Sequence, residues 1–163
     1  IGLSLVGSEM CIRDRAISAA RVVRLFGFEP KVAFVSHSTF GQPLTSRTKH
    51  IKNAVEILKN RNVDFEFDGD MQPDVALDPE YQNLYPFSKI VGNANILIMP
   101  GQHSAAISYK MMKTLGDTKV IGPLLIGLGL PIEIAPLRSS TSEIINLASI
   151  AAYSADVIDY KKS

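Results

Sequence analysis

Apolar residues recur along this chain at two spacings, 3.6 and 2, and the alternation between them lays out the expected elements. Ala16, Ala19, Ala20 and Val23 fall at 0, +3, +4 and +7, one face of a helix that should stop near Gly27 and before Pro30. Residues 31–35 (KVAFV) form a short β-branched and apolar run, the mark of a buried strand, and lead into the polar loop SHSTFGQP at 36–43. A loop leaving a strand in this way is where α/β folds hold ligands. Ile51, Ala54, Val55 and Leu58 repeat the helical stripe and leave Lys49, Lys52, Lys59 and Arg61 for solvent. Residues 63–67 alternate apolar and acidic side chains as a half-exposed strand does, and Gly69 is expected to end it.

Residues 73–87 are polar, aromatic and proline-containing, which predicts a long surface excursion. Residues 95–99 predict another buried strand, and a third helix is expected from His103 to a stop at Gly116. On that helix Ile107, Met111 and Leu115 share a side, so Met111 and Met112 read as core filler. Strand-like runs at 120–126 and 131–134 follow, then a helix with Ile144, Leu147, Ala148 and Ala151 on one face. Ser140 and Glu143 have the spacing of a capping box at its start. Strands alternating with helices predict an α/β layer fold, a mainly parallel sheet flanked by helices.

Composition narrows the function classes. Among 163 residues, 17 Lys+Arg stand against 16 Asp+Glu, a net charge of +1, so no global field attracts a polyanion and nucleic acid is not an expected partner. One cysteine, Cys11, can form neither an internal disulfide nor a thiolate zinc site, and a cytoplasmic location is expected. The most apolar stretch, 120–137, contains Pro123, Pro131 and Pro136, which would break a membrane-spanning helix. Residues 1–15 begin with Ile, show neither periodicity, and lack the design of a targeting signal. They resemble a translated sequencing-adapter string and are expected to be a non-native leader, with residues 16–163 the C-terminal part of a larger domain.

Candidate chemistry is sparse. Asp64, Glu66, Asp68 and Gly69 mimic the first half of a calcium loop, but Val75 stands where the bidentate carboxylate is required. His37, His50 and His103 are too scattered for a metal motif, and no metal site is expected. His103 follows a strand and the turn Pro100-Gly101-Gln102 and precedes Ser104 at a helix start, where free N–H groups favour phosphate or carboxylate; a simple N-terminal cap by Ser104 explains the pattern equally well. No Walker A or G-x-G-x-x-G sequence occurs, and Gly127-Leu128-Gly129 runs into Leu130-Pro131 rather than into a helix.

Three segments in order resemble the phosphate acetyl/butyryl transferase family. KVAFVSHSTFG at 31–41 is similar to the family's KVALLSFSTKG, and FDGDMQPDVAL at 67–77 to its IDGELQFDAAL. The run from 94 to 127, with ILIMP at 96–100, Ser104, Ile107, Tyr109-Lys110 and IGPLLIG at 121–127, resembles ANVLIFP through SGNIGYK to IGPILQG. The resemblance implies a phosphotransacetylase-like fold, of the architecture shared with isocitrate and isopropylmalate dehydrogenases. It also exposes a departure. Active transferases continue with P-V-N-D-L-S-R-G, whose Ser and Arg act on coenzyme A and the acyl phosphate, whereas this chain has PIEIAPLR at 131–138. Pro136 and Leu137 stand at the Ser and Arg positions, Arg138 lies one place late, and Glu143 matches the family's nearby carboxylate. No catalytic residue is therefore expected.

A retained scaffold without those residues resembles the C-terminal transferase-like domain of bacterial NADP-dependent malic enzymes. That resemblance implies a regulatory and assembly role, with acetyl-CoA or a related acyl-CoA as effector and a homo-oligomeric assembly. No cofactor is expected in this piece; NADP and Mg/Mn would belong to a malic enzyme domain elsewhere. Ser36, Ser38, Thr39, His103 and Ser104, with Arg138 and Glu143, are the candidate ligand-binding residues. A phosphate acetyl- or butyryltransferase moving an acyl group between acyl phosphate and coenzyme A is the alternative, and a purely structural oligomerisation module is the third.

Overall fold

The structure is a computed structural model that describes residues 9–116, 119–128 and 130–160. Two compact units divide at Tyr109/Lys110. The first holds α1 (Glu9–Leu25), β1 (Lys31–Val35), α2 (Ser46–Lys59), β2 (Glu66–Met71), α3 (Pro73–Leu77), α4 (Pro79–Gln82), β3 (Ile96–Ile98) and the start of α5 (Gln102–Leu115). Its sheet has the order β2-β1-β3, with β1 parallel to both neighbours. The chain is thus an α/β fold whose parallel sheet is flanked by helices.

Period-two alternation in β1 sorts its side chains between two cores. Val32 and Phe34 face Ala16 and Ala20 of α1 and Ile51, Ala54, Val55 and Leu58 of α2. Ala33 faces Met71, Val75 and Ala76, with Ile90 and Ala94. Coverage on both faces is why this strand reads as an unbroken apolar run. The chain enters α2 through a capping box: the Thr45 hydroxyl accepts from the Thr48 N–H at 3.3 Å, and the Thr48 hydroxyl accepts from the Thr45 N–H at 2.8 Å.

Several element boundaries differ from the sequence expectation. Helix α1 begins at Glu9, about two turns before Ala16, and Ile12 is in the core at 2 % exposure. Ile12, Ala16 and Ala20 form an i, i+4, i+8 stripe, but Ile12 is the one residue of 9–15 on it, and its apolar neighbours Met10 and Cys11 in sequence blur the period. Residues 1–8 of the expected leader lie outside the described residues. Strand β2 spans Glu66–Met71 rather than 63–67, and Gly69 lies inside it. Its alternation is real but its polar face is solvated only at Glu66: Asp68 and Asp70 are buried. Asp68 accepts from the N–H of Gly69 at 3.0 Å and of Lys89 at 2.8 Å, which lets a carboxylate be interior. The excursion at 73–87 contains α3 and α4, and Val75 and Ala76 of α3 close the second core.

The second unit holds the remainder of α5, an extended segment and α6 (Thr141–Tyr160). Residues 120–126 and 131–134 form no strand among the described residues. Pro123 and Pro131 have no N–H for a ladder, and the Leu125 N–H goes to the Glu133 carboxylate at 3.0 Å instead of to a neighbouring backbone. The core-filler reading of α5 also fails: Ile107, Met111, Met112 and Leu115 are all more than half exposed. On α6 the expected face is buried only at Leu147. The capping box is present, with the Ser140 N–H donating to Glu143 Oε2 at 2.8 Å and the Glu143 N–H to Ser140 Oγ at 3.3 Å.

Candidate functional site

Because β1 and β3 are adjacent and parallel, the segments leaving their C-terminal ends diverge over a crevice, the place where open α/β sheets bind ligands. A cavity of about 750 Å³ lies there. Ser36 and His37 reach it from the loop after β1, and Gly101, His103 and Ser104 from the turn after β3 and the start of α5. Ile12 and Ile51 supply apolar wall, and His50 of α2 joins them. The size and the mix of apolar wall with a few polar groups suit a cofactor-sized ligand.

The candidate residues separate into two groups. Ser36, His103 and Ser104 line the cavity. Ser104 does not cap its helix; its hydroxyl donates back to the Gly101 carbonyl at 2.8 Å, which leaves the α5 N-terminal N–H groups to other partners. Ser38 and Thr39 are turned inward. Ser38 is fully buried and its hydroxyl donates to the Asp70 carboxylate, while the Thr39 hydroxyl accepts from the Gln72 N–H at 3.3 Å. Both side chains are taken up by hydrogen bonds that hold the loop.

Sequence reasoning missed several participants. His37 and His50 join His103 at one cavity although 13 and more positions separate them in sequence, and only the parallel topology brings them together. Among the described residues no group of three His, Cys, Asp or Glu side chains is placed to hold a metal ion. His50 Nδ1 lies 2.9 Å from Glu9 Oε1, and that hydrogen bond holds the Glu9 carboxyl below its usual range. Asp70 carried one available signal: a glycine inside a strand, Gly69, which marks a bulge or a close backbone approach.

In the second unit Leu137 projects fully into solvent and Arg138 is exposed. Glu143 takes a hydrogen bond from Lys113 at 2.6 Å and two from Ser140, which together lower its carboxyl from 4.5 to about 2. There it caps α6 and pairs with Lys113.

The family model for phosphate acetyl/butaryl transferase matches residues 11–152. The chain belongs to that family. This transferase-family chain is 46% identical over 144 residues to an NADP-dependent malic enzyme of Rhizobium meliloti, covering 88% of itself and 19% of that protein. It is 37% identical over 146 residues to a phosphate acetyltransferase of Clostridium acetobutylicum, covering 44% of that protein. Its fold is similar to a solved phosphotransacetylase from Streptococcus pyogenes, with a TM-score of 0.86, 32% identity, and coverage of 94% of this chain and 47% of the other. The chain therefore spans less than half the length of any of these three relatives. No described helix is long and apolar enough to cross a membrane.

Proposed function

We propose that this chain is the C-terminal transferase-like portion of an NADP-dependent malic enzyme, and that its cavity binds acetyl-CoA without turning it over. The observation that carries this reading is the segment at 131–138, where Pro136 and Leu137 stand at the positions that the resemblance to active transferases assigns to a Ser-Arg pair. A pyrrolidine ring and a solvent-facing isobutyl group can neither donate a hydroxyl hydrogen bond nor grip a phosphoryl oxygen. The cavity between β1 and β3 nonetheless keeps hydroxyls, imidazoles and a helix start for a polar, partly apolar ligand. The higher identity to a malic enzyme than to an acetyltransferase supports the same reading.

As an effector, acetyl-CoA would act by binding one arrangement of the assembled enzyme more tightly than another, shifting that equilibrium by its differential affinity. NADP and Mg/Mn would be held by the malic portion. The second reading, acyl transfer between acyl phosphate and coenzyme A, is favoured by the 37% identity to a phosphate acetyltransferase.

The test uses the full-length protein. Calorimetric titration with acetyl-CoA should show saturable binding, acetyl-CoA should alter the rate of NADP-dependent malate oxidation, and acetyl phosphate with coenzyme A should yield no acetyl-CoA. Formation of acetyl-CoA at enzymatic rates would overturn the sensor and establish the transferase. Absence of binding would leave the assembly role.

A further inference from the structure

We propose that Asp70 is the positioning residue of this cavity: its buried carboxylate sets the shape of the loop at 36–41 and thereby the affinity for the acyl-CoA ligand. The proposal rests on the acyl-CoA reading above for the ligand, but not for the anchor itself. The register between β1 and β2 runs Phe34 to Gly69 and then Val35 to Met71, so Asp70 is the extra residue of a bulge and pairs with nothing in β1. Bulges re-aim a side chain. This one turns the carboxylate toward the loop, where Oδ2 accepts from the Ser38 hydroxyl and Oδ1 from the Gly41 N–H at 3.1 Å. The Asp70 carbonyl accepts from the Phe40 N–H at 2.6 Å. One residue thus ties three loop positions, 38, 40 and 41.

Asp70 is 1% exposed, and an interior carboxylate is costly unless hydrogen bonds compensate it. The arrangement has a direction. A carboxylate accepts, so the Ser38 proton points to Asp70, and Ser38 then meets Ser36, with 3.4 Å between the two hydroxyl oxygens and 3.3 Å from the Ser38 N–H to Ser36 Oγ. Ser36 is at the cavity wall. The chain Asp70–Ser38–Ser36 links a buried anchor to the cavity wall.

The experiment compares Asp70→Asn, Asp70→Glu and Ser38→Ala in the full-length protein, reading acetyl-CoA affinity and backbone amide exchange. In Asp70→Asn, affinity should fall about tenfold and Gly41 exchange should rise by at least about that factor, the scale of one hydrogen bond to a charged group. Exchange at Val32 and Phe34 should stay as in the parent. Asp70→Glu, which restores a carboxylate, should recover part of the affinity, and Ser38→Ala should weaken binding with an effect less than additive to that of Asp70→Asn. Unchanged affinity together with unchanged Gly41 exchange would overturn the proposal. So would a loosened loop with full affinity. If Asp70→Asn does not fold, Ser38→Ala carries the test with the same two readouts. If the parent itself binds no acetyl-CoA, the functional reading fails, and Gly41 exchange alone decides the anchor.

Discussion

Gly69→Ala tests the geometry on which the loop depends. Gly69 has φ +148°, a region that residues with a Cβ avoid, and a Cβ placed there would lie 2.6 Å from the Phe34 carbonyl oxygen and 2.7 Å from Phe34 Cβ. Holding a non-glycine residue in such a region costs about 1–3 kcal/mol. Relieving the overlap must move backbone or the fully buried Phe34, which adds about 1–3 kcal/mol. The sum, about 2–6 kcal/mol, is a large part of the roughly 5–15 kcal/mol that holds a domain folded. Urea unfolding of the full chain, followed by circular dichroism, should therefore show a much lower midpoint with little change in slope. Gly41→Ala is the matched control. Gly41 has φ +85° with nothing within 4 Å of the added Cβ, so only the conformational cost applies, about 1–2 kcal/mol. A Gly69→Ala loss below about 1 kcal/mol, or no larger than that of Gly41→Ala, would refute the close approach.

Leu58→Ala should cost about 2–5 kcal/mol in the same assay, because Leu58 of α2 is completely buried in the core that α1 and α2 form with the sheet. Thr45→Ala should cost about 1 kcal/mol by removing the acceptor for the Thr48 N–H at the start of α2. Glu143 supports α6 in a pH-dependent way. Its carboxyl is lowered from 4.5 to about 2, chiefly by the Lys113 hydrogen bond, so its contribution is complete above 4.5 and is lost as the pH falls toward 2. The difference in unfolding midpoint between the parent and Glu143→Gln should shrink across that interval; a difference that is constant with pH would contradict the pairing.

The first unit was legible where burial is one-sided or complete. Strand β1 came out at its observed residues because both faces are covered, and α2 showed its full stripe because one face alone is buried. Strand β2 misled because Asp68 and Asp70 are charged yet interior, and their compensating donors, the N–H groups of Lys89 and Gly41, come from distant segments that no local pattern reveals. The runs at 120–126 and 131–134 misled differently: they have strand composition without the N–H groups or neighbours that make a ladder. For the site, Ser36, His103 and Ser104 could be picked out from their place after strands, whereas His37, His50 and Asp70 required the register of the sheet.

The strand order also bears on how the first unit assembles. β1 must wait for two later segments, meeting Glu66 opposite Lys31 on one side and Ile96 opposite Val32 on the other. The second closure spans roughly twice the chain of the first, and a doubling adds only about 0.6 kcal/mol of loop entropy. In an intact refolding chain the two pairings, on opposite edges of the central strand, should therefore form in either order with nearly even probability. On a growing chain they cannot, because the β1–β2 pair is available long before β3 emerges. Translation imposes an order that thermodynamics barely prefers, and the cavity, which needs residues from both Ser36 and Ser104, is the last feature of this unit to come into being.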